Sequence, residues 1–83
     1  MYNKMCFTEK GIEYTILFDF IDEETNRLFI VYTDYSIDEC GKTRLFAALC
    51  QGDNTQLLLS PIVSKNDWRK VEYEIYRFLK NEN

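Results

Sequence analysis

Histidine is missing from the chain altogether. That removes histidine-based nucleophilic triads, histidine metal ligands and the usual proton shuttle near neutral pH. Cysteine is sparse: Cys6, Cys40 and Cys50 are odd in number and widely spaced, with no CxxC pair. Neither a disulfide framework nor a zinc site is expected from that pattern, and reduced thiols fit a cytoplasmic protein. The three glycines, Gly11, Gly41 and Gly52, stand isolated, so there is no Gly-rich phosphate loop. No apolar run approaches the ~20 residues of a membrane helix. The opening MYNKMCFTEKG lacks the apolar core of a secretion signal. The expectation is a cytoplasmic protein with no membrane partner and no cofactor.

What remains is an apolar, aromatic composition in 83 residues, 46% hydrophobic and 16% aromatic, which is that of one folded domain rather than a disordered chain. A chain this short buries only ~60% of the surface that its unfolded form exposes. Without a disulfide or a structural metal, either the core is unusually well packed or a partner subunit completes it. Charge is uneven. Residues 9 to 39 hold nine acids against Lys10 and Arg27, a local charge of −7, within a chain of net charge −4. A solvated acidic surface is the plain reading. Attraction of a basic partner, or oriented self-association, is the functional one.

Hydrophobic periodicity predicts strands at about 4–8, 12–20, 27–36, 43–51 and 56–61. In EYTILFDF, Tyr14, Ile16, Phe18 and Phe20 alternate onto one face, with Glu13, Thr15, Leu17 and Asp19 on the other. A turn is expected at Glu9-Lys10-Gly11 and a further connection at residues 21 to 27. LFIVYTDYS is apolar on both faces: Leu28, Ile30 and Tyr32 point one way, and Phe29, Val31 and Tyr35 the other. Such a strand is central, with something covering each side. GDNT, residues 52 to 55, signals another turn. Pro61 should end the last strand or hold it at an edge, because it has no N–H to donate. SKNDWRKVEYEIYRFLKNEN predicts a helix over about 65–81. Ser64 and Asp67 resemble a capping box, and Trp68, Val71, Ile75, Phe78 and Leu79 form one apolar stripe.

The segment DYSIDECGKTRL carries the candidate chemistry. Asp34, Ser36 and Asp38 occupy the first, third and fifth positions of a calcium loop, but Glu39 and Leu45 stand where that loop needs Gly and a bidentate Glu. A hairpin connection, opened by Asp38 with Gly41 in the left-handed position, explains the same residues better. Acids clustered in turns stay solvated and ionised, which disfavours them as catalytic acids. Lys42 and Arg44 near Cys40 would favour a thiolate, whereas Asp38 and Glu39 oppose it. Aromatics on a sheet could stack bases, but the acidic half would repel phosphate, so no nucleic-acid partner is expected.

FIVYTDYSIDECGKTRLFAAL followed by LLLSPIVSKNDWRKVEYEIYRFL resembles the YrzB-like family of small acidic bacterial proteins, a domain of unknown function. Tyr32-Thr33-Asp34, Gly41, Ser60-Pro61-Ile62 and Asp67-Trp68 stand where that family's motifs fall, and FTEKGIEYTILFDF is similar to its opening hairpin. The resemblance implies a bacterial, cytoplasmic origin and a strand-then-helix order. It implies no activity and no functional residues. The helix departs from the family in its basic residues Arg69, Lys70, Arg77 and Lys80.

The fold class expected is α+β: an antiparallel meander of four or five strands with one C-terminal helix packed on one face. The function expected is a non-enzymatic protein-interaction module, a homodimer among its forms, acting through its sheet face or an edge strand. Tyr32, Tyr35 and Phe46, with Asp34 and Asp38 beside them, are the expected partner-binding residues. Core packing is the competing role for each aromatic. The alternative is an acidic regulator or inhibitor that docks a basic protein, or mimics nucleic-acid charge, through residues 19 to 39.

Overall fold

A computed structural model describes residues 5–51 and 58–81. Five strands run in chain order: β1 (Met5–Glu9), β2 (Ile12–Asp22), β3 (Arg27–Thr33), β4 (Phe46–Cys50) and β5 (Leu59–Ser60). Helix α1 (Lys65–Asn81) closes the order. Every strand pairs antiparallel with its sequence neighbour, giving the sheet order β1-β2-β3-β4-β5. The meander and the C-terminal helix are those expected from periodicity. The GDNT turn, together with residue 4 of the first predicted strand and residues 56 and 57 of the last, lies outside the described residues.

The local reasons are legible. Lys10 and Gly11 both take positive φ, 52° and 81°, between paired Glu9 and Ile12. Two left-handed residues in a two-residue loop match the twist of the flanking strands, and Gly11 takes that conformation at no steric cost. β3 stops at Thr33 rather than at residue 36, because Asp34 turns the chain: its Oδ1 accepts from the Ser36 N–H at 2.9 Å and the Ser36 hydroxyl at 2.7 Å. β4 begins at Phe46 rather than residue 43. The intervening residues form a short arm, tied by the Ile37–Thr43 bridge and by Arg44 N–H donating to Ser36 O at 2.9 Å. β5 ends at Ser60, directly before Pro61, and lies at the sheet edge. In α1 the Ser64 hydroxyl accepts from Asn66 N–H (3.1 Å) and Asp67 N–H (3.4 Å). Asp67 does not return the gesture to Ser64; its carboxylate takes Arg27 Nη2 instead, at 2.7 Å.

The alternation read in β2 needs correction. The register passes from Ile16 opposite Tyr32 to Phe18 opposite Val31, so Leu17 is an extra residue. A bulge of this kind shifts the pleat by one. Tyr14 and Ile16 therefore share a face with Tyr32 and Phe46, whereas Phe18 and Phe20 share the opposite face with Val31 and Phe29. The second face carries α1. Its core is Phe18, Phe29, Val31, Ile62 and Val71, with Leu17, Phe20, Leu45, Ala47, Leu49, Ile75 and Phe78 packed against it. The Phe18 and Phe78 rings stack at 4.6 Å. Val71 is fully buried, while Trp68 at 40% and Leu79 at 51% remain exposed, so only the middle of the predicted stripe docks.

The bulge also bends the sheet. Glu9 of β1 lines the same cavity, about 310 Å³, as Leu59, Ser60 and Pro61 at the other end of the strand order. In a flat sheet, four strand gaps would separate them by about 19 Å. The β1–β2 hairpin therefore curls over the helix-free face. On that face Ile30 is only 3% and Ala48 only 5% exposed. The two-sided apolar strand at the centre of the sheet is covered on both sides by its own chain.

Candidate interaction surface

Three places concentrate chemistry: an aromatic cluster under the curled hairpin, the arm between β3 and β4, and a charged clasp where α1 meets the β2–β3 turn.

Tyr32 and Phe46, paired across β3 and β4, stack at 5.6 Å with 25° between their planes. Tyr14 meets both edge-on, at 5.3 and 5.9 Å. Phe7 stacks on Tyr14 at 5.2 Å and meets Tyr32 edge-on at 5.2 Å. All four are half-buried. Burial and the nearby Glu9 carboxylate push the Tyr32 hydroxyl above its ordinary pKa. The sequence singled out Tyr32 and Phe46 but missed Phe7 and Tyr14. The signal was present: a two-residue loop at Lys10-Gly11 places Phe7 directly opposite Tyr14.

Tyr35 sits elsewhere. Its φ is +64°, its side chain is 54% exposed, and its N–H donates to the Thr33 hydroxyl at 3.0 Å. That hydroxyl in turn donates to Arg44 O at 2.6 Å, pinning both feet of the arm. Left-handed backbone is uncommon for a bulky residue. Ile37, two residues on, is also exposed. Asp34 is spent on Ser36, whose hydroxyl and N–H hold its carboxyl below the ordinary value. Asp38 accepts at Oδ1 from both Cys40 N–H and Lys42 N–H, each at 2.9 Å, and Gly41 takes φ +81°. The acidic knot is thus a turn built by its own carboxylates. Cys40 is exposed at its tip. Among the described residues, no three Cys, Asp or Glu side chains gather as a metal site.

The clasp is built on two buried carboxylates, Asp22 and Asp67. Asp22 Oδ2 accepts from the Thr25 hydroxyl at 2.7 Å and from Lys70 Nζ at 2.9 Å, and Oδ1 accepts from Glu24 N–H at 3.3 Å. The Thr25 hydroxyl first, then Lys70, holds the Asp22 carboxyl below its ordinary value. Asp22 conversely raises Lys70. Arg27 completes the arrangement by bridging to Asp67 at 2.7 Å. Every member has a partner, so the clasp registers the helix on the sheet rather than offering reactive groups.

No family model, no curated protein and no solved structure matches this chain. The site must therefore be read from its own geometry.

A last feature joins residues that the sequence keeps far apart. Leu45 at the foot of the arm faces Ile75 and Leu79 on α1 across an open groove of about 700 Å³, with Asp38, Lys42, Thr43 and Arg44 along one side and Phe46 at its margin. Among the described residues, no helix is long and apolar enough to cross a membrane.

Proposed function

We propose that this protein is a non-enzymatic protein-interaction module of the cytoplasm, which engages a second copy or another protein through the arm between β3 and β4. The observation that supports this reading most directly is Tyr35. The fold holds a large aromatic in a strained left-handed conformation, 54% exposed, with exposed Ile37 close by. Strain of this kind persists only where the surrounding structure imposes it, and it clusters at functional positions. A rigidly presented tyrosine is a favoured anchor, because it adds contact area with little loss of side-chain freedom. Tyr32 and Phe46 support the arm's base rather than reaching outward with Tyr35. The resemblance to the YrzB-like family agrees with a small bacterial module and adds no activity.

The acidic-regulator reading has less to stand on. Of the acids between residues 19 and 39, Asp22, Asp34 and Asp38 are committed to their own turns and to the helix clasp.

The test is Tyr35→Ser, compared with the native chain by sedimentation and by affinity capture from lysate at low and high salt. The expected result is loss of self-association or of a salt-resistant partner, with an unchanged melting temperature. Equal association by both chains would refute the role of the arm. So would unfolding of the variant, which would make Tyr35 a core residue.

A further inference from the structure

The groove between the arm and α1 has a composition unlike the rest of the surface. Its floor is apolar, from Leu45, Ile75 and Leu79, and Leu79 keeps 51% of its surface exposed. Its wall is basic. Lys42 and Arg44 line it, both are exposed, and among the described residues neither makes an ion pair. The one acid in the wall, Asp38, points its Oδ1 at the Cys40 and Lys42 N–H groups. Asp34, the acid that feels Arg44, is bound by Ser36. In a chain of net charge −4, two uncommitted cations stand beside uncovered apolar surface.

We propose that this groove docks a short peptide segment of a partner protein in which apolar side chains alternate with acidic ones. The apolar residues lie on Leu45, Ile75 and Leu79, and the carboxylates meet Lys42 and Arg44. Charge complementarity selects the acidic character: the lining holds two cations against one acid, Asp38, whose Oδ1 is taken by its own turn. Openness selects a peptide over an enclosed small molecule. Small-molecule sites bury most of their ligand, whereas a groove open along its length suits a segment running through it. The site uses neither Tyr35 nor Ile37, so it goes beyond the arm-mediated association proposed above and stands or falls separately.

The experiment is a selection of random dodecapeptides displayed on phage against the immobilised full chain, followed by fluorescence polarisation of the selected peptides. The expected winners carry Asp or Glu interleaved with Leu, Ile or Phe, and their binding weakens with added salt. Reversing two exposed charge contacts predicts that K42E/R44E weakens binding about tenfold. Leu79→Asp should weaken it as well, and Tyr35→Ser should leave it unchanged. Circular dichroism of each variant separates lost binding from lost folding, since all four positions are exposed. Winners without acidic residues, no enrichment at all, or binding indifferent to K42E/R44E would overturn the proposal. Self-association of the native chain that K42E/R44E abolishes would assign the groove to a second copy and overturn it equally.

Discussion

Val71→Ala tests how the helix is held. Val71 is fully buried at the middle of α1, within the cluster of Phe18, Phe29, Val31 and Ile62. The substitution removes two carbons, worth about 1.6 kcal/mol at ~0.8 kcal/mol per buried methylene. A cavity left uncollapsed among those side chains adds roughly 1 kcal/mol. Alanine's better helix propensity returns about 0.5 kcal/mol. The net loss is about 2 kcal/mol, which for a domain of this size lowers the melting temperature by roughly 8–16 °C. Trp68 is the chain's single tryptophan, and its indole N–H donates to Ile62 O at 2.9 Å. It therefore reports helix docking by fluorescence, while circular dichroism reports the secondary structure. Urea titrations followed by both probes should shift together with an unchanged slope. Leu79→Ala, at a half-exposed position of the same predicted stripe, should cost far less. An equal loss from the two variants would refute the placement of the helix contact. Fluorescence melting ahead of circular dichroism would show that α1 detaches as a separate unit.

Two further outcomes follow from the charges and the bulge. Asp22 and Asp34 both have carboxyls depressed below the ordinary value of 3.8. Their stabilising contributions are complete above that value and are lost as pH falls through the lower folded values. Lys70, raised above 10.5, contributes fully below that value and loses its contribution as pH rises through its folded value. Thermal melts of Asp22→Asn between pH 2 and 6 should therefore show a shallower acid decline than the native chain, with a residual slope from Asp34; an identical slope would contradict the clasp. Deleting Leu17 keeps every other β2 residue on its present face but removes the bend. The variant should keep its helix-side core while Ile30 and Ala48 lose their cover, giving increased binding of a hydrophobic dye. No change in dye binding would mean that the bulge does not produce the curl.

Much of this architecture can be read from local patterns, because local chemistry decides it. Ser64 and the spacing of Val71, Ile75 and Phe78 mark α1, and Gly11 and Gly41 mark two turns whose geometry needs them. Pro61 marks the end of β5. The misreadings share a different cause. Period-two alternation through Leu17 looks regular, and only the pairing with β3 reveals which residue is extra. The aromatic pattern continues through Tyr35 and extends the expected strand past Thr33, although Asp34 turns the chain first. Tyr32 and Phe46 are legible as a pair because a hairpin brings them together, whereas Tyr35 shares only sequence proximity with them. The groove was out of reach. It joins residues 42–46 to residues 75–79, and no local pattern specifies that the arm's foot and the end of the helix should meet.

The curl of the sheet has a consequence for how the molecule meets copies of itself in the crowded cell. An open meander ends in two unsatisfied rows of backbone donors and acceptors, each able to template the growth of a cross-β stack. Here the two ends of the strand order turn toward a common cavity. Beside it stands Pro61, which has no N–H to offer an arriving strand. One extra leucine in β2 thus curls the sheet over its helix-free face and also turns its outermost strands toward each other.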